Sequence, residues 1–354
     1  MKRFISSILC AVLIITALLS LSSCNGEKSK TYKTRGKTIS YVYFNTESTL
    51  TVLGEVSDED FNSYVSEAES LLSYYHKLFD IYYDYSGVTN IRKINQGAGN
   101  GTPIRVDAEL LSFLEYCKEL FTLTDGKTNV MMGAVLKIWH NARENAADNP
   151  EAAALPSEEE LKAAEAHTLI DSLVIDREAG TVYISDPSAS LDVGAIGKGY
   201  ATERLYERLC EMGANHVALN IGGNIRTIGL DPNGEKWQTN LTNPDKSSAE
   251  FAAKFKLGQT ACVTSGNYER YFAVDGVNYH HIIDPDTLMP ARYFSSVTVI
   301  TEDSALADAL STALFCVSYS EGIALLKNFS QPIEVIWIDN DFNIASTSGV
   351  EFVE

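Results

Sequence analysis

Positive charge is scarce in this sequence: 28 Lys and Arg stand against 47 Asp and Glu, a net charge of −19. After the first few residues there is no dense basic stretch. A nucleic-acid groove or an anionic membrane surface requires a concentrated positive patch, so both are excluded as partners. Cysteine is sparse as well, and no two cysteines form C-x-x-C or show metal-ligand spacing. Zinc ribbons and dithiol redox motifs are therefore excluded. No repeat of solenoid length is visible. Charged residues make up 21% and apolar ones 45%, the balance of a globular chain rather than a disordered one.

The chain opens with a leader. Lys2 and Arg3 precede an apolar stretch from Ile8 to Leu21, and Leu21-Ser22-Ser23-Cys24 follows, the pattern of an export signal. It resembles a lipoprotein processing site, which would make Cys24 the lipid-carrying first residue of a chain held at the cell membrane and facing outside the cytoplasm. A plain secretory signal with an incidental Cys24 is the alternative. Residues 24–38 read as a polar tether and residues 39–345 as the folded domain, one large unit or two intimately joined subdomains. Cys117, Cys210, Cys262 and Cys316 then remain, and three lie on probable helices among apolar neighbours. Buried free thiols are expected, while export leaves a Cys117–Cys210 or similar pairing open.

Hydrophobic periodicity predicts an α+β fold. Residues 40–53 alternate as a first strand or hairpin. Ser57 caps a long amphipathic helix, and a second helix runs over 108–124. Residues 141–156 read as an exposed insertion before a capping box at Ser157 to Glu160. A hairpin is predicted over 173–184. Short strands follow over 216–220, 237–241, 251–257, 261–264 and 297–300, and another begins at Tyr279. Helices are expected over 304–317 and 320–326, and residues 333–338 close the sheet.

The central stretch is LDVGAIGKGYATERL, residues 191–205. A strand end delivers Asp192, three glycines follow within a few residues, and Lys198 stands among them at a helix start. Glycines permit close approach, the first helical N–H groups lack internal partners, and the lysine adds charge, so the turn suits an anion. The spacing is neither the dinucleotide fingerprint nor a P-loop, and it also fits an ordinary strand-to-helix turn. Far downstream, in ALADALSTALF, Asp308 and Thr312 are i and i+4 on one helix face. Two such oxygens can share one hard cation; a solvent-facing Asp and a Thr bonded to its own turn is the bland alternative. His281, in HHIIDPDT, is a candidate for proton transfer, or else a histidine bonded to a neighbouring strand.

Together these motifs resemble the ApbE family of FAD:protein FMN transferases. The matching stretches are DVGAIGKGYA, NIGG, TSGNYER, HIIDP and ADALST, in that order, within residues 40–340. The resemblance implies an α+β fold of mixed or antiparallel sheets with packed helices, its active site in a cleft between two subdomains. It implies that FAD is split at its pyrophosphate in the presence of Mg²⁺, with FMN attached to a threonine or serine of an acceptor flavoprotein in a membrane redox complex and AMP released. Water as acceptor, which would make the chain an FAD pyrophosphatase, and flavin binding without turnover are the alternatives.

Carried over by position, the resemblance makes Asp308, Thr312 and the carbonyl of Ala195 the metal ligands. It places Asp192, Lys198, Lys127, Thr128, Asn129 and Ile283 against FAD, with Tyr82 stacked on the isoalloxazine. Phe44 stands beside the flavin, where the family usually has a methionine; Asn129 stands where the family has a carboxylate, and Leu288 where it has a glycine. Lys198, Asp308 and His281 are then the residues expected to serve the chemistry.

Overall fold

The computed structural model describes residues 35–39 and 43–353. Cys24 and the leader lie outside the described residues. In chain order the first elements are β1 (Arg35–Ile39), β2 (Ser48–Val52), α1 (Asp58–Phe79), α2 (Ile91–Gln96), β3 (Ile104–Arg105) and α3 (Ala108–Leu123). Then come α4 (Gly133–Asp148), α5 (Glu158–Glu165), β4 (Leu173–Asp176), β5 (Thr181–Ile184), α6 (Gly197–Glu211), β6 (Val217–Ile221) and β7 (Asn224–Ile228). The remainder is β8 (Trp237–Thr242), β9 (Phe251–Leu257), β10 (Ala261–Gly266), β11 (Tyr271–Val274), β12 (Val277–His280), β13 (Ser296–Thr301), α7 (Ser304–Phe315), α8 (Tyr319–Leu325), β14 (Glu334–Ile338) and β15 (Ile344–Ser346).

An eight-stranded antiparallel sheet, in the order β1-β2-β6-β7-β10-β13-β14-β15, carries the fold. The two-residue period of its strands divides the apolar residues between two faces. Leu50, Val52, Leu219, Val263, Val297, Val299 and Trp337 join one core with α1, α3, α6 and α7. Cys262, Ile336 and Ile338 face the other way, against Leu241, Phe255 and Leu257 of the β8–β9 hairpin. A third, smaller core gathers Trp139 of α4, Leu161 of α5, Phe272 of β11, Ile283 and Leu288. The described residues fall in one compact unit. The α+β class stands.

Several local expectations hold for the stated physical reason. Ser57 Oγ accepts the Asp60 N–H at the start of α1, and both bonds of the capping box at Ser157 and Glu160 are made. Others are corrected. The strand Arg35–Ile39 lies within the stretch read as tether, and at the other end Val353 N–H donates to Lys254 O, so the fold runs beyond 39–345. Helix α4 continues to Asp148 through much of the stretch read as insertion, because Ala146 returns to the buried face two turns after Trp139. Strand β14 is not the edge of the sheet; β15 pairs outside it. Among the described residues Cys117, Cys210, Cys262 and Cys316 are all free, and Cys210 is exposed rather than buried.

Candidate active site

The glycine bend and the downstream acid meet. Residues 190–192 are held in place because Ser190 O accepts the Gly133 N–H, Asn95 pairs with the Leu191 backbone, and Asp192 N–H donates to Val130 O. Asp192 Oδ1 accepts the Gly194 N–H at 2.9 Å, which tightens the turn. Helix α6 then starts without a side-chain cap at Ile196. Its Gly199 N–H donates to Oδ2 of Asp308 at 2.8 Å, Lys198 Nζ lies 3.6 Å from the same oxygen, and Asn224 Nδ2 lies at 3.5 Å. All three donors address Oδ2. Only glycine fits at 199: a Cβ there would fall 2.3 Å from Ser304 O and 2.5 Å from Asp308 Cβ.

Helix α7 is positioned from its first turn. Asp303 Oδ1 accepts the N–H groups of Ala305 and Leu306, and Glu203 Oε2 accepts that of Ser304 at 2.8 Å. Glu203 is itself paired with buried Arg226, whose guanidinium lies over the Tyr206 ring at 3.4 Å. Every residue of α7 except Thr312 is buried. Thr312 Oγ1 is 3.5 Å from Ser265 Oγ, which also bonds Ser311 Oγ. Asp308 is therefore no solvated helix charge. Burial pushes its carboxyl above the usual carboxylate value, against the pull of Lys198, the Gly199 N–H and Asn224.

The two adjacent histidines have different surroundings. His280 Nε2 is 2.7 Å from Ala291 O, and its Nδ1 accepts the Ile282 N–H, so this ring is the one bonded into the neighbouring backbone. His281 Nδ1 is buried with no hydrogen-bond partner. Burial, then Arg270, His280, Arg143 and Lys198, push its pKa down to about 3, so the imidazole is neutral. Tyr82 is half exposed, with its ring 5.5 Å from that of His140. Burial and then the Asp192 charge push its phenol up, while Arg143 and Arg270 oppose them. Arg143 and Arg270 thus act on both His281 and Tyr82, while Lys198 acts on His281 and Asp192 on Tyr82.

The other residues expected at the site have these surroundings. Lys127 binds Asp286 at 2.5 Å and Asp284 at 3.5 Å; burial works against its charge, but the two carboxylates outweigh it and raise its pKa. The Thr128 hydroxyl donates to Ala309 O at 2.8 Å, and both ends of the Asn129 amide are taken, by Thr168 O and by the Met131 N–H. These three side chains hold their loop against α7 and its surroundings. The Ile283 side chain lies in the small core beside Leu288. Phe44, at φ 55°, packs edge-on against His76. Ala195 lies in the bend itself. Leu288 adopts φ 60°, so the loop keeps the backbone shape that suits glycine, with Leu288 O accepting the Trp139 indole N–H.

Asn224, Ser265 and the Glu203–Arg226 pair were not singled out from the sequence. Ser265 lies within the TSGNYER stretch, and Asn224 directly follows NIGG. Among the described residues no group of three or more His, Cys, Asp or Glu side chains is placed to hold a metal ion. A cage built wholly from protein carboxylates and imidazoles is therefore absent there. The acid, hydroxyl and carbonyl set fits a hard cation that takes its remaining ligands from water and substrate phosphates.

The comparisons with known proteins agree in extent and in fold. The model of the ApbE family matches residues 44–337. A Haemophilus influenzae protein named FAD:protein FMN transferase is 28% identical over 98% of this chain and 97% of its own. One of the same name from Treponema pallidum is 31% identical over 73% of this chain and 72% of its own. Among solved structures, the ApbE protein of Thermotoga maritima superposes with a TM-score of 0.76 at 27% identity, covering 90% of this chain and 97% of that one. The flavin transferase ApbE of Vibrio cholerae gives 0.74 at 25% identity, covering 90% and 98%. With the family model spanning the bend, the β10–β12 region and α7 alike, the chain belongs to the ApbE family.

Proposed function

We propose that this protein is a Mg²⁺-dependent FAD:protein FMN transferase that moves FMN from FAD to a threonine or serine hydroxyl of an acceptor protein. The observation that carries the reading is the union of Lys198, Gly199 and Asp308 across the α6–α7 contact, in a chain whose relatives bear that enzyme name. Asp308 Oδ1, the Thr312 hydroxyl and the Ala195 carbonyl would hold the ion. Bound there, Mg²⁺ would neutralise charge on the diphosphate oxygens.

Lys198 and the uncapped start of α6 bind and orient the FMN phosphate. The acceptor oxygen forms its bond to that phosphorus as the bridging P–O bond breaks and AMP leaves. Neutral His281 takes the hydroxyl proton on its unprotonated ring nitrogen. Phe44 and Tyr82 flank the flavin ring. Asp192, close to Tyr82 and the glycine turn, orients the rest of FAD.

Export, a lipid on Cys24 and an acceptor in a membrane redox complex complete the proposal. The deciding experiment incubates the protein with FAD, Mg²⁺ and acceptors that active relatives modify. An acceptor mass raised by a phosphoester-linked FMN, with matching AMP, is expected. AMP and free FMN without an adduct would make water the acceptor, and no product at all would refute both forms. Mass spectrometry of the mature N-terminus tests the lipid: an unmodified Cys24, or a start elsewhere, overturns that part.

A further inference from the structure

Two of the proposed flavin-facing side chains, Phe44 and Tyr82, lie on separate segments, and one line of hydrogen bonds runs between those segments. The Phe44 N–H donates to Nδ1 of His76 at 3.2 Å, which requires that nitrogen to carry no proton. The proton of the neutral ring then sits on Nε2, 3.4 Å from the Tyr85 hydroxyl. That hydroxyl donates to Asp80 Oδ2 at 2.7 Å. The other oxygen of Asp80 accepts the N–H groups of Tyr82 at 2.6 Å and Tyr83 at 3.0 Å. Each donor meets an acceptor, and the bonds from both segments run inward to the Asp80 carboxylate, which accepts on both oxygens.

Outside these bonds, the two segments have other anchors. Arg92 N–H donates to Asp80 O, and the Asn90 amide donates to Tyr83 O, so the Tyr82 loop is fixed to α2. The Phe44 turn sits before β2, and its ring meets the His76 ring edge-on at 5.8 Å between centroids. His76 on α1 is the group that touches both. An apolar side chain could fill the same space, but it could not accept on one edge and donate from the other. Burial and then Lys77 favour the neutral ring that this requires, while Asp80 pulls the other way.

We propose that His76 is a positioning residue for FAD, setting through Tyr85 and Asp80 the spacing between Phe44 and Tyr82. This rests on the reading that those two residues flank the isoalloxazine. His76 touches no reacting atom, so its loss acts on binding of the flavin ring more than on the phosphoryl step.

The test titrates FAD into protein containing Mg²⁺, reading flavin fluorescence, which stacking on tyrosine quenches, and measures kcat and KM for FAD in the same preparations. His76→Leu is expected to weaken FAD binding about tenfold, to reduce the quenching, and to raise KM more than it lowers kcat. Tyr85→Phe, which removes only a hydroxyl from a retained ring, should shift all three in the same direction by less. His76→Asn places an oxygen where Nδ1 was, keeping the Phe44 bond and losing the Tyr85 link, so it should fall between His76→Leu and wild type. Wild-type-like binding and quenching in both His76→Leu and Tyr85→Phe overturns the inference, as does a loss of kcat with binding intact. Wild-type protein that binds no FAD overturns the function proposal and this inference together; wild-type binding with unaffected variants overturns this inference alone.

Discussion

The Gly199 N–H donates to Oδ2 of Asp308 across 2.8 Å, joining residues 109 apart in the chain. That bond exists because residue 199 has no side chain to hold α6 away from α7. Gly199→Ala is therefore expected to cost about 1–3 kcal/mol of stability by overpacking and to abolish turnover by parting Lys198 from Asp308. Gly197→Ala is the comparison: its Cβ would meet the Phe79 ring at 3.1 Å and the Val193 side chain at 3.7 Å, with no backbone atom among them, and a milder loss is expected. Urea denaturation alongside product assay checks both. Equal effects at 197 and 199 would contradict the role given to the α6–α7 contact.

Asp308→Asn should lower turnover at least about a hundredfold while leaving the fold intact, because the amide oxygen still accepts the Gly199 N–H. Burial is the first cause of the raised Asp308 pKa. The folded chain thus holds this proton more tightly than the unfolded chain, and ionisation of Asp308 costs stability above its ordinary value of 3.8. Without Mg²⁺, the variant should melt above wild type near neutrality, and that gain should shrink as pH falls into the carboxylate range. A gain that instead grows on acidification would contradict the sign.

His281 gives a pH signature. With its pKa pushed down to about 3, the free enzyme should show no inflection from this residue near 6.5 in kcat/KM. Negative charge on bound FAD raises the pKa of the same imidazole, so the acidic limb of kcat should lie above that of kcat/KM. His281→Gln should lose about 10²–10⁴ in turnover with FAD binding retained. A variant with wild-type turnover would remove His281 from the reaction.

The Glu203–Arg226 pair, almost wholly buried, stands behind the site and meets the start of α7 at the Ser304 N–H. Arg226→Met leaves Glu203 buried without its partner and should cost about 3–5 kcal/mol, read as a shift of the urea midpoint at unchanged m-value. Activity should fall along with stability, since α7 carries Asp308. A midpoint within error of wild type would show the pair to be incidental.

Local geometry was legible where spacing encodes it. The glycines around Lys198 and the i, i+4 pair Asp308 and Thr312 state their geometry locally, and tertiary packing sets Lys198 and Gly199 against Asp308. Lys127, Thr128 and Asn129 were less legible because what decides their role is distant: Thr128 bonds a carbonyl 181 residues away. Strand β7 was missed for a related reason. Its NIRTI sequence buries Arg226, and a charged residue in a polar run reads as loop until Glu203 is seen beside it. Strand β1 and the later turns of α4 are polar for the same length of chain, and only their neighbours give them structure.

The most direct measurement is a calorimetric titration of Mg²⁺ into FAD-loaded protein, wild type against Asp308→Asn. Wild type is expected to take up one ion per chain, and Asp308→Asn none over the same concentrations. Equal uptake by both would contradict the placing of the ion between the glycine bend and α7.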